Sequence, residues 1–373
     1  MSRVGCKVSR SSRRPGGLAL ASSSKPEESR GRQPLGLGLP VAEAEAATEP
    51  AAPAPTHRAP RRGARSLIGR YAVVLVLVAL VIGFSIGQPD TFATSANFQT
   101  IANTQAVLVI IALGLTVALA AGEFDLSVGA VLGFSGAVLA YLTSSRDWAA
   151  GPALLLTFAA CLGIGLLNAL FVVRFRVNSL IATLGMGTFV AGIGVAIAGS
   201  TTIGDLPGAI TKPAEQALNG VQAPVFLALA LVIVLWYVME HTPLGRHLFF
   251  TGEGREAARL AGVRVARIRV GGLVCSALGA WLAGVILAGQ TDGAVTTFGQ
   301  PFLLPAFAAA FLGATTIKPG RYNAWGTLFS VLLLAVGTTG LQLAGAADWV
   351  TDVFNGAALV LAVTFANLAS REG

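Results

Sequence analysis

Beyond residue 66 the sequence is a succession of long apolar stretches separated by short polar connections. A helix of roughly 20 apolar residues crosses the hydrocarbon core of a bilayer, which is about 30 Å thick. Only 12% of the residues are charged, 54% are hydrophobic, and the mean hydropathy is +0.70. No soluble domain of this length has such a composition. The sequence therefore predicts an all-α integral membrane protein.

Ten apolar segments can be placed between the polar connections. They lie near 70–88, 101–121, 126–142, 152–173, 179–198, 223–240, 270–289, 302–317, 322–343 and 349–369. The third and the eighth are short and flanked by polar turns, so either of them could be a broken or re-entrant helix. An even number of spans places both ends of the transmembrane region on one side of the membrane.

Positive charge is distributed unevenly between the two sides of this topology. With the N-terminus inside, the connections and the C-terminal end carry 11 Lys and Arg residues on the inner side, whereas the outer side carries only Arg146 and Lys212. Lys and Arg accumulate in cytoplasmic loops. We therefore expect both termini in the cytoplasm. We attribute the net charge of +8 to membrane topology and do not expect nucleic acid as a partner.

Residues 1–66 differ in composition from the transmembrane region at 67–373. They are rich in Arg, Ser, Pro and Ala and have almost no aliphatic run. Such a segment cannot bury enough apolar surface to offset the entropy of ordering, so we expect a disordered cytoplasmic tail. Its basic opening also fits a transit peptide, but acidic residues further along favour the tail interpretation.

The longest polar interruption of the transmembrane region is the stretch 241–269, which contains six arginines. Each arginine at a bilayer centre costs roughly 3 kcal/mol, so this stretch lies outside the lipid. Good helix formers from Glu253 to Ala261, followed by Gly262, predict a short helix along the cytoplasmic face that is presented to a partner. The alternative is an arginine-rich loop that only fixes the topology.

A short sequence motif occurs twice. Residues 121–125 read AGEFD and residues 288–292 read AGQTD, and each follows a long apolar segment and precedes a short one. The topology places the two copies on opposite sides of the membrane. This arrangement indicates an inverted repeat that relates segments two to five to segments seven to ten, although chance similarity is an equal alternative.

Two carboxylates, Glu123 and Asp125, lie close to a span without an evident aqueous loop. Charges in such places are costly, which indicates a polar pathway, a helix cap or a clamp between helices. Since Asp125 precedes Leu126 and Ser127 at the start of segment three, capping is favoured over contact with a substrate.

Several kinds of chemistry find no support in the sequence. It contains no Walker A motif, no HExxH, no GxSxG and no paired cysteine motif, and its three cysteines are far apart. The apolar segments also lack a relay of Asp, Glu and His. Energy for uphill transport would then come from another subunit, so we expect no cofactor in this chain.

Four stretches, taken in order, resemble permease subunits of bacterial ATP-binding-cassette (ABC) importers of the ribose and monosaccharide type. They are AGEFDLSVGA at 121–130, VNSLIATLGMGTFVAGIGVAIAG at 177–199, TPLGRHLFFTGEGREAARLAGVRV at 242–265 and FAAAFLGATTIKPGRYNAWGTL at 307–328. The resemblance covers roughly residues 70–370. Ala121 and the turn at 315–321 depart from the usual pattern and leave the sugar undetermined.

The resemblance implies a dimeric permease of ten helices in a bacterial plasma membrane, with two ATPase subunits that carry ATP and Mg on the cytoplasmic side and an extracytoplasmic sugar-binding protein. The residues implied to couple the chain to the ATPase are Glu253, Glu256, Ala257, Ala258, Arg259, Leu260 and Gly262. Those implied to belong to the translocation pathway or to a structural signature are Gly122, Glu123, Asp125, Ser127, Gly129, Thr183 and Gly185. The alternative function is a self-sufficient channel or secondary carrier for a small neutral solute.

Overall fold

The computed structural model of the chain describes the backbone of residues 64–371 and the side chains of residues 70–364. Its α-helices are α1 (Ala64–Gly87), α2 (Ser95–Ala120), α3 (Val128–Ala140), α4 (Ala150–Ala169), α5 (Ser179–Ala198), α6 (Gly208–Glu215), α7 (Ala223–His241), α8 (Pro243–Glu253), α9 (Arg255–Leu260), α10 (Val265–Thr291), α11 (Gln300–Gly313), α12 (Ala324–Leu343) and α13 (Trp349–Arg371). The tail predicted for 1–66 lies outside the described residues, except for 64–66, which belong to α1.

Four strands of two residues each form two small antiparallel pairs. Strand β1 (Ile203–Gly204) pairs with β4 (Gly293–Ala294), and β2 (Ala217–Leu218) pairs with β3 (Val221–Gln222). Both pairs lie in connections between long helices, so the described fold is helical throughout its core.

The long helices match the predicted spans. Eight helices of the described residues are long and apolar enough to cross a membrane, and α13 contains a shorter apolar stretch, Trp349–Thr364. The short third segment is α3, which a π-helical turn, Tyr141–Ser145, extends to 18 residues. The short eighth segment is α11, whose 14 residues measure about 21 Å, less than the thickness of the hydrocarbon core. The chain is therefore an all-α membrane protein of about ten transmembrane helices.

The centre of the fold is the pair formed by α2 and α10. The two helices approach closely at Gly114 and Gly279, where a Cβ added to Gly114 would lie 3.3 Å from the Gly279 Cα. Small residues at such crossings let membrane helices pack backbone against backbone. Every residue of α3 is buried, and α3 packs against α10 and α5, so that helix is apolar all round.

The packing of segments two to five corresponds to that of segments seven to ten. Helix α10 packs against α3 and α4, and its counterpart α2 packs against α11 and α12. Likewise, α3 packs against α5, and α11 packs against α13. These matched contacts are those of two repeats that pack against each other, as the duplicated sequence motif indicates.

The connections predicted for one side of the membrane contact one another. The Ile317 amide donates to the Arg70 carbonyl at 2.8 Å, and Lys318 forms an ion pair with Glu240. We call this side the arginine face. It is formed by the start of α1 and by the connections around 121–127, 174–178, 241–264 and 314–323.

The other connections meet at the opposite face. There the Asn103 side chain donates to the Gly220 carbonyl at 3.0 Å, and the Ser144 hydroxyl donates to the Asp205 carbonyl at 3.1 Å. Gln290, from the second copy of the duplicated motif, donates to Asn103 at this face, while the first copy lies on the arginine face. The alternation of sides inferred from charge therefore agrees with the fold.

Candidate functional site

The polar stretch between α7 and α10 consists of two short helices. The predicted single helix from Glu253 to Ala261 is wrong at its start, because Gly254 is extended and separates α8 from α9. The predicted stop is correct: Gly262 has φ +81°, its amide donates to the Arg259 carbonyl, and the next amide reaches back to the Ala258 carbonyl. The last residues of the stretch, from Val265, already belong to α10.

Most residues expected to couple this segment to a partner lie at the surface. The exposed ones are Glu253, Glu256, Ala257, Arg259, Leu260 and Gly262. Leu260 is 87% exposed, which is unusual for a leucine at the end of a helix. Ala258 departs from the expectation, since it is fully buried within the chain and is not available to a partner. The segment thus presents a charged surface with one apolar side chain at its end.

Glu123 lies beneath this segment and is fully buried. The chain reaches it through a C-terminal turn of α2, in which Gly122 has φ +77° and the Glu123 amide donates back to the Ala118 carbonyl. Its Oε1 accepts from Arg255 Nη2 at 2.9 Å and also from Arg269 Nε. The Glu123 side chain is therefore a clamp between helices, one of the three roles that the sequence left open.

Arg255 connects this buried carboxylate to the surface. Its side chain is 49% exposed, and besides Glu123 it donates to the Gly122 carbonyl at 2.9 Å. Close packing reinforces the connection, because a Cβ added to Gly252 would lie 2.3 Å from the Ala120 carbonyl oxygen. A movement of α9 would thus be transmitted directly to the turn that ends α2.

The connection 121–127 is also held by α5. The Phe124 amide donates to the Ser179 hydroxyl at 3.2 Å, and the Leu126 amide donates to Thr183 Oγ1 at 3.0 Å. Thr183 in turn donates to the Ser179 carbonyl at 2.7 Å and is fully buried. The structure therefore places Thr183 as a brace for this connection.

Asp125 and Ser127 form a turn ahead of α3. Asp125 Oδ1 accepts from the Ser127 amide at 3.0 Å and from its hydroxyl at 2.5 Å, and the same hydroxyl accepts from Asn168 Nδ2 at 2.9 Å. Asp125 therefore closes a turn ahead of α3 and does not cap it as predicted, because the residue before the helix is Ser127 and no side chain makes a capping hydrogen bond there. Asn168 of α4 is a member of this site that sequence reasoning treated only as a general link between helices.

The environment of Asp125 favours its neutral form. Burial raises the pKa of Asp125, and hydrogen bonds from the Ser127 hydroxyl and amide, together with the nearby Ser276 hydroxyl, only partly oppose this effect. Among the residues that the structure describes, Asp125 Oδ2 and the Ser276 hydroxyl have no hydrogen-bond partner of good geometry. The site thus holds Glu123, which is paired with two arginines, and beside it Asp125, a carboxyl group whose burial favours the protonated form.

The two remaining glycines of the predicted signature differ in their surroundings. A Cβ added to Gly129 would lie 3.0 Å from the Gly299 carbonyl, so this glycine permits close packing of α3. No described atom lies within 4 Å of a Cβ added to Gly185, which is exposed on the outer side of α5. Packing within the chain explains why position 129 is a glycine, but it does not explain the glycine at position 185, Gly185.

The partners of Glu123 were not predicted. Arg255 and Arg269 follow it by more than a hundred positions, and only the fold brings them together. The available signal was the high cost of a carboxylate beside a span, which requires a cation nearby. The arginine-rich stretch was the one large source of such cations on that face.

Comparison with known proteins agrees with this architecture. Residues 97–363 match the model of a family described as branched-chain amino acid transport system / permease component. The chain is 32% identical to the ribose import permease protein of Escherichia coli, over 79% of this chain and 91% of the relative. It is 29% identical to the autoinducer 2 import system permease protein of Photorhabdus laumondii, over 79% of this chain and 89% of the relative.

No solved structure matches the chain. The family model covers most of the sequence and nearly the whole of the described transmembrane fold, including the clamp at Glu123 and the segment that contains α8 and α9. The chain therefore belongs to the branched-chain amino acid transport system / permease component family and is a multi-pass transport permease of the ABC importer class.

Proposed function

We propose that this chain is the membrane-spanning subunit through which a bacterial ABC importer brings a monosaccharide, or a related small polar solute, into the cell. The family description speaks of branched-chain amino acids, whereas the similar proteins are named for ribose and for autoinducer 2. The names of these relatives support a sugar-like substrate for this chain. ATP and Mg would be bound by separate subunits, and this chain would supply the pathway.

The proposed assembly contains a second permease copy, two ATPase subunits and an extracytoplasmic sugar-binding protein. The arginine face and both termini would lie in the cytoplasm, since positive residues of the connections accumulate on that face. The opposite face, with its two strand pairs, would receive the binding protein. This orientation brings α8 and α9 to the side where ATP is available.

The observation that carries the proposal is the contact of half-exposed Arg255 with buried Glu123. The exposed surface of α9 would dock into the ATPase, with Leu260 as its apolar contact and with Glu253, Glu256 and Arg259 setting its register. Displacement of α9 would pull on Glu123 and Gly122 through Arg255. The connection 121–127 would then shift the start of α3 and the bracing face of α5.

Gly185 and the exposed side of α5 would belong to the translocation pathway or to the contact with the second permease copy. Thr183, Asp125, Ser127 and Gly129 would act indirectly, by holding the connection and the start of α3 in place. A Gly185→Leu variant should therefore keep the stability of the subunit and lose transport, because its side chain meets no described atom of its own chain.

The test replaces Arg255 with alanine in the complete importer. In proteoliposomes that contain the ATPase subunits and the binding protein, we expect the complex to assemble and ribose uptake per ATP hydrolysed to fall about tenfold, a typical coupling free energy. The matched control is Arg246→Ala, an exposed arginine of α8 outside the clamp. Equal uptake by the two variants would contradict the proposed coupling through Arg255.

The alternative, a self-sufficient channel or secondary carrier, is separated by a second measurement. Liposomes that contain this chain alone should take up no ribose, whereas a carrier would move solute without ATPase subunits. Charge reversal at Glu253 and Glu256 provides the complementary result. Membrane insertion should be normal and ATP-driven uptake should be lost, because both carboxylates are exposed on the docking surface.

A further inference from the structure

An apolar groove lies between α7 and α10, with α2 at its base. It has a volume of about 480 Å³, and of the described residues that line it Arg267 alone is charged. Along α10 it extends from Arg267 to Leu282, which is about 22 Å at 1.5 Å per residue. This length exceeds half of the hydrocarbon core of a bilayer, which is roughly 30 Å thick, so the groove has the depth of one leaflet.

A second cavity, of about 870 Å³, opens on the arginine face at the start of α10. Its cationic lining consists of Arg176, Arg255, Arg259, Arg264, Arg267 and Arg269. Two acidic side chains, Glu123 and Glu256, also line it, and Glu123 is already engaged by two of the arginines. The cavity therefore has a large excess of positive charge.

Four of these arginines are free to bind an external anion. Among the described side chains, none accepts a hydrogen bond or forms an ion pair with Arg176, Arg259, Arg264 or Arg267. The N-terminal end of α10, a helix of 27 residues, adds the positive end of its dipole at the same place. Guanidinium groups in such an arrangement bind phosphate with good geometry.

Arg267 lines both the groove and the cavity. The apolar groove and the anion-binding cavity therefore meet at one side chain, at the level where α10 enters the membrane. A free phosphate ion would leave the groove unused, and a neutral lipid would leave the arginines unused. Anionic phospholipid is the chemistry that satisfies both parts.

We propose that this composite site binds an anionic phospholipid of the leaflet on the arginine face, with an acyl chain in the groove between α7 and α10 and the phosphate at Arg267 and Arg264. Basic pockets between transmembrane helices bind lipid headgroups in this way. The site shares its cavity with the Glu123 clamp but leaves it intact, since Arg255 and Arg269 keep Glu123 as their partner and the phosphate is bound by other arginines.

The test measures lipid retained by the purified full-length chain. Native mass spectrometry with added phosphatidylglycerol should detect a bound lipid and a raised melting temperature, and the same amount of phosphatidylcholine should give neither. Arg267→Gln should weaken phosphatidylglycerol binding about fivefold, the value expected for one arginine at an anionic surface. The charge-matched control is Arg246→Gln, which lies on α8 outside both cavities.

A second variant tests the groove without a change in charge. A Cβ added to Gly271 meets no described atom within 4 Å, so Gly271→Leu should fill the groove and leave the lipid-free melting temperature unchanged. Loss of phosphatidylglycerol binding in this variant supports the proposal. Equal retention of phosphatidylglycerol and phosphatidylcholine, or displacement of the lipid by millimolar inorganic phosphate, would overturn it, because the first shows a nonspecific lipid and the second a simple anion site.

Discussion

At the scale of a single residue, the stability of the arginine face depends on Glu123. Its carboxylate is fully buried, and its charge is balanced by Arg255 and Arg269. Removal of one partner from a buried ion pair is costly, because the remaining charge stays desolvated. We expect Glu123→Gln to lower the free energy of unfolding by about 3 kcal/mol, as measured by thermal unfolding of the purified protein in detergent.

The control for this prediction is Glu253→Gln, which makes the same chemical change at an exposed position of the same face. It should alter stability by no more than about 0.5 kcal/mol. If both variants unfold at the wild-type temperature, the contacts of Glu123 with the two arginines do not stabilise the protein.

Asp125 should make the stability of the protein depend on pH in the direction opposite to that expected for a carboxylate paired with a cation. Because burial raises the pKa of Asp125, the folded chain binds this proton more tightly than the unfolded chain does. Its contribution to stability is present at low pH and is lost as the pH rises from the unfolded pKa of about 3.9 through the raised folded value.

Asp125→Asn removes the ionisation and keeps an oxygen that can accept from the Ser127 amide. The melting temperature of this variant relative to wild type should therefore increase with pH across that interval, in scans from pH 4 upward. Asp125→Leu provides the contrast, since it should be less stable at every pH through loss of the turn. A constant difference between the Asn variant and wild type would indicate that Asp125 stays ionised.

At this scale the sequence indicated which residues are important, but it did not indicate which residues they contact. Glu123 and Asp125 stand out because carboxylates beside an apolar span are expensive, and that cost is a property of local sequence. Arg269, which donates to Glu123, and Asn168, which donates to the Ser127 hydroxyl beside Asp125, belong to other helices. No local pattern specifies which helices pack together, so these contacts could not be predicted.

At the scale of the element, α3 depends on glycines that face other backbones. A Cβ added to Gly133 would lie 2.0 Å from the Thr296 carbonyl oxygen, and backbone cannot move aside as a flexible side chain can. We expect Gly133→Ala to destabilise the protein by about 2 kcal/mol or more, since overpacking displaces α3 from the turn before α11. Thermal unfolding of the purified variant measures this effect.

The matched control is Gly192→Ala in α5, where no described atom lies within 4 Å of the added Cβ. Both changes favour the helical conformation equally, so any difference in stability between the two variants comes from packing. A Gly133→Ala protein as stable as the Gly192→Ala protein would show that α3 does not lie against the backbone at Thr296.

The helices themselves were predicted well where the signal is local. Segment five was placed at 179–198, which are the bounds of α5, because a long apolar run between polar residues determines a transmembrane helix. The stop at Gly262 was found because the position has positive φ, which favours glycine. Gly254 has an extended backbone that any residue can adopt, so its identity did not reveal the break between α8 and α9.

At the scale of the whole molecule, the duplicated motif gave the only hint of the repeat, and the packing of the helices is much stronger evidence. Its two copies have different local roles: Glu123 binds arginines on one face, and Gln290 donates to Gln222 on the other. Divergence of this kind leaves little sequence similarity, although the pairing of α2 with α10 and of their neighbours is preserved. The sequence could therefore suggest the repeat but could not establish it.

The direction in which the whole fold is inserted is the last quantity to be tested. Lys212 and Arg259 are both exposed, and they lie on the opposite face and the arginine face respectively. In a chain whose native cysteines are replaced, a membrane-impermeant maleimide should label Lys212→Cys in intact cells and Arg259→Cys only after permeabilisation. This follows because the connections with most Lys and Arg remain in the cytoplasm. Labelling of Arg259→Cys from outside would place α9 on the side of the membrane away from any ATPase. The proposed coupling of α9 to ATP hydrolysis would then be impossible.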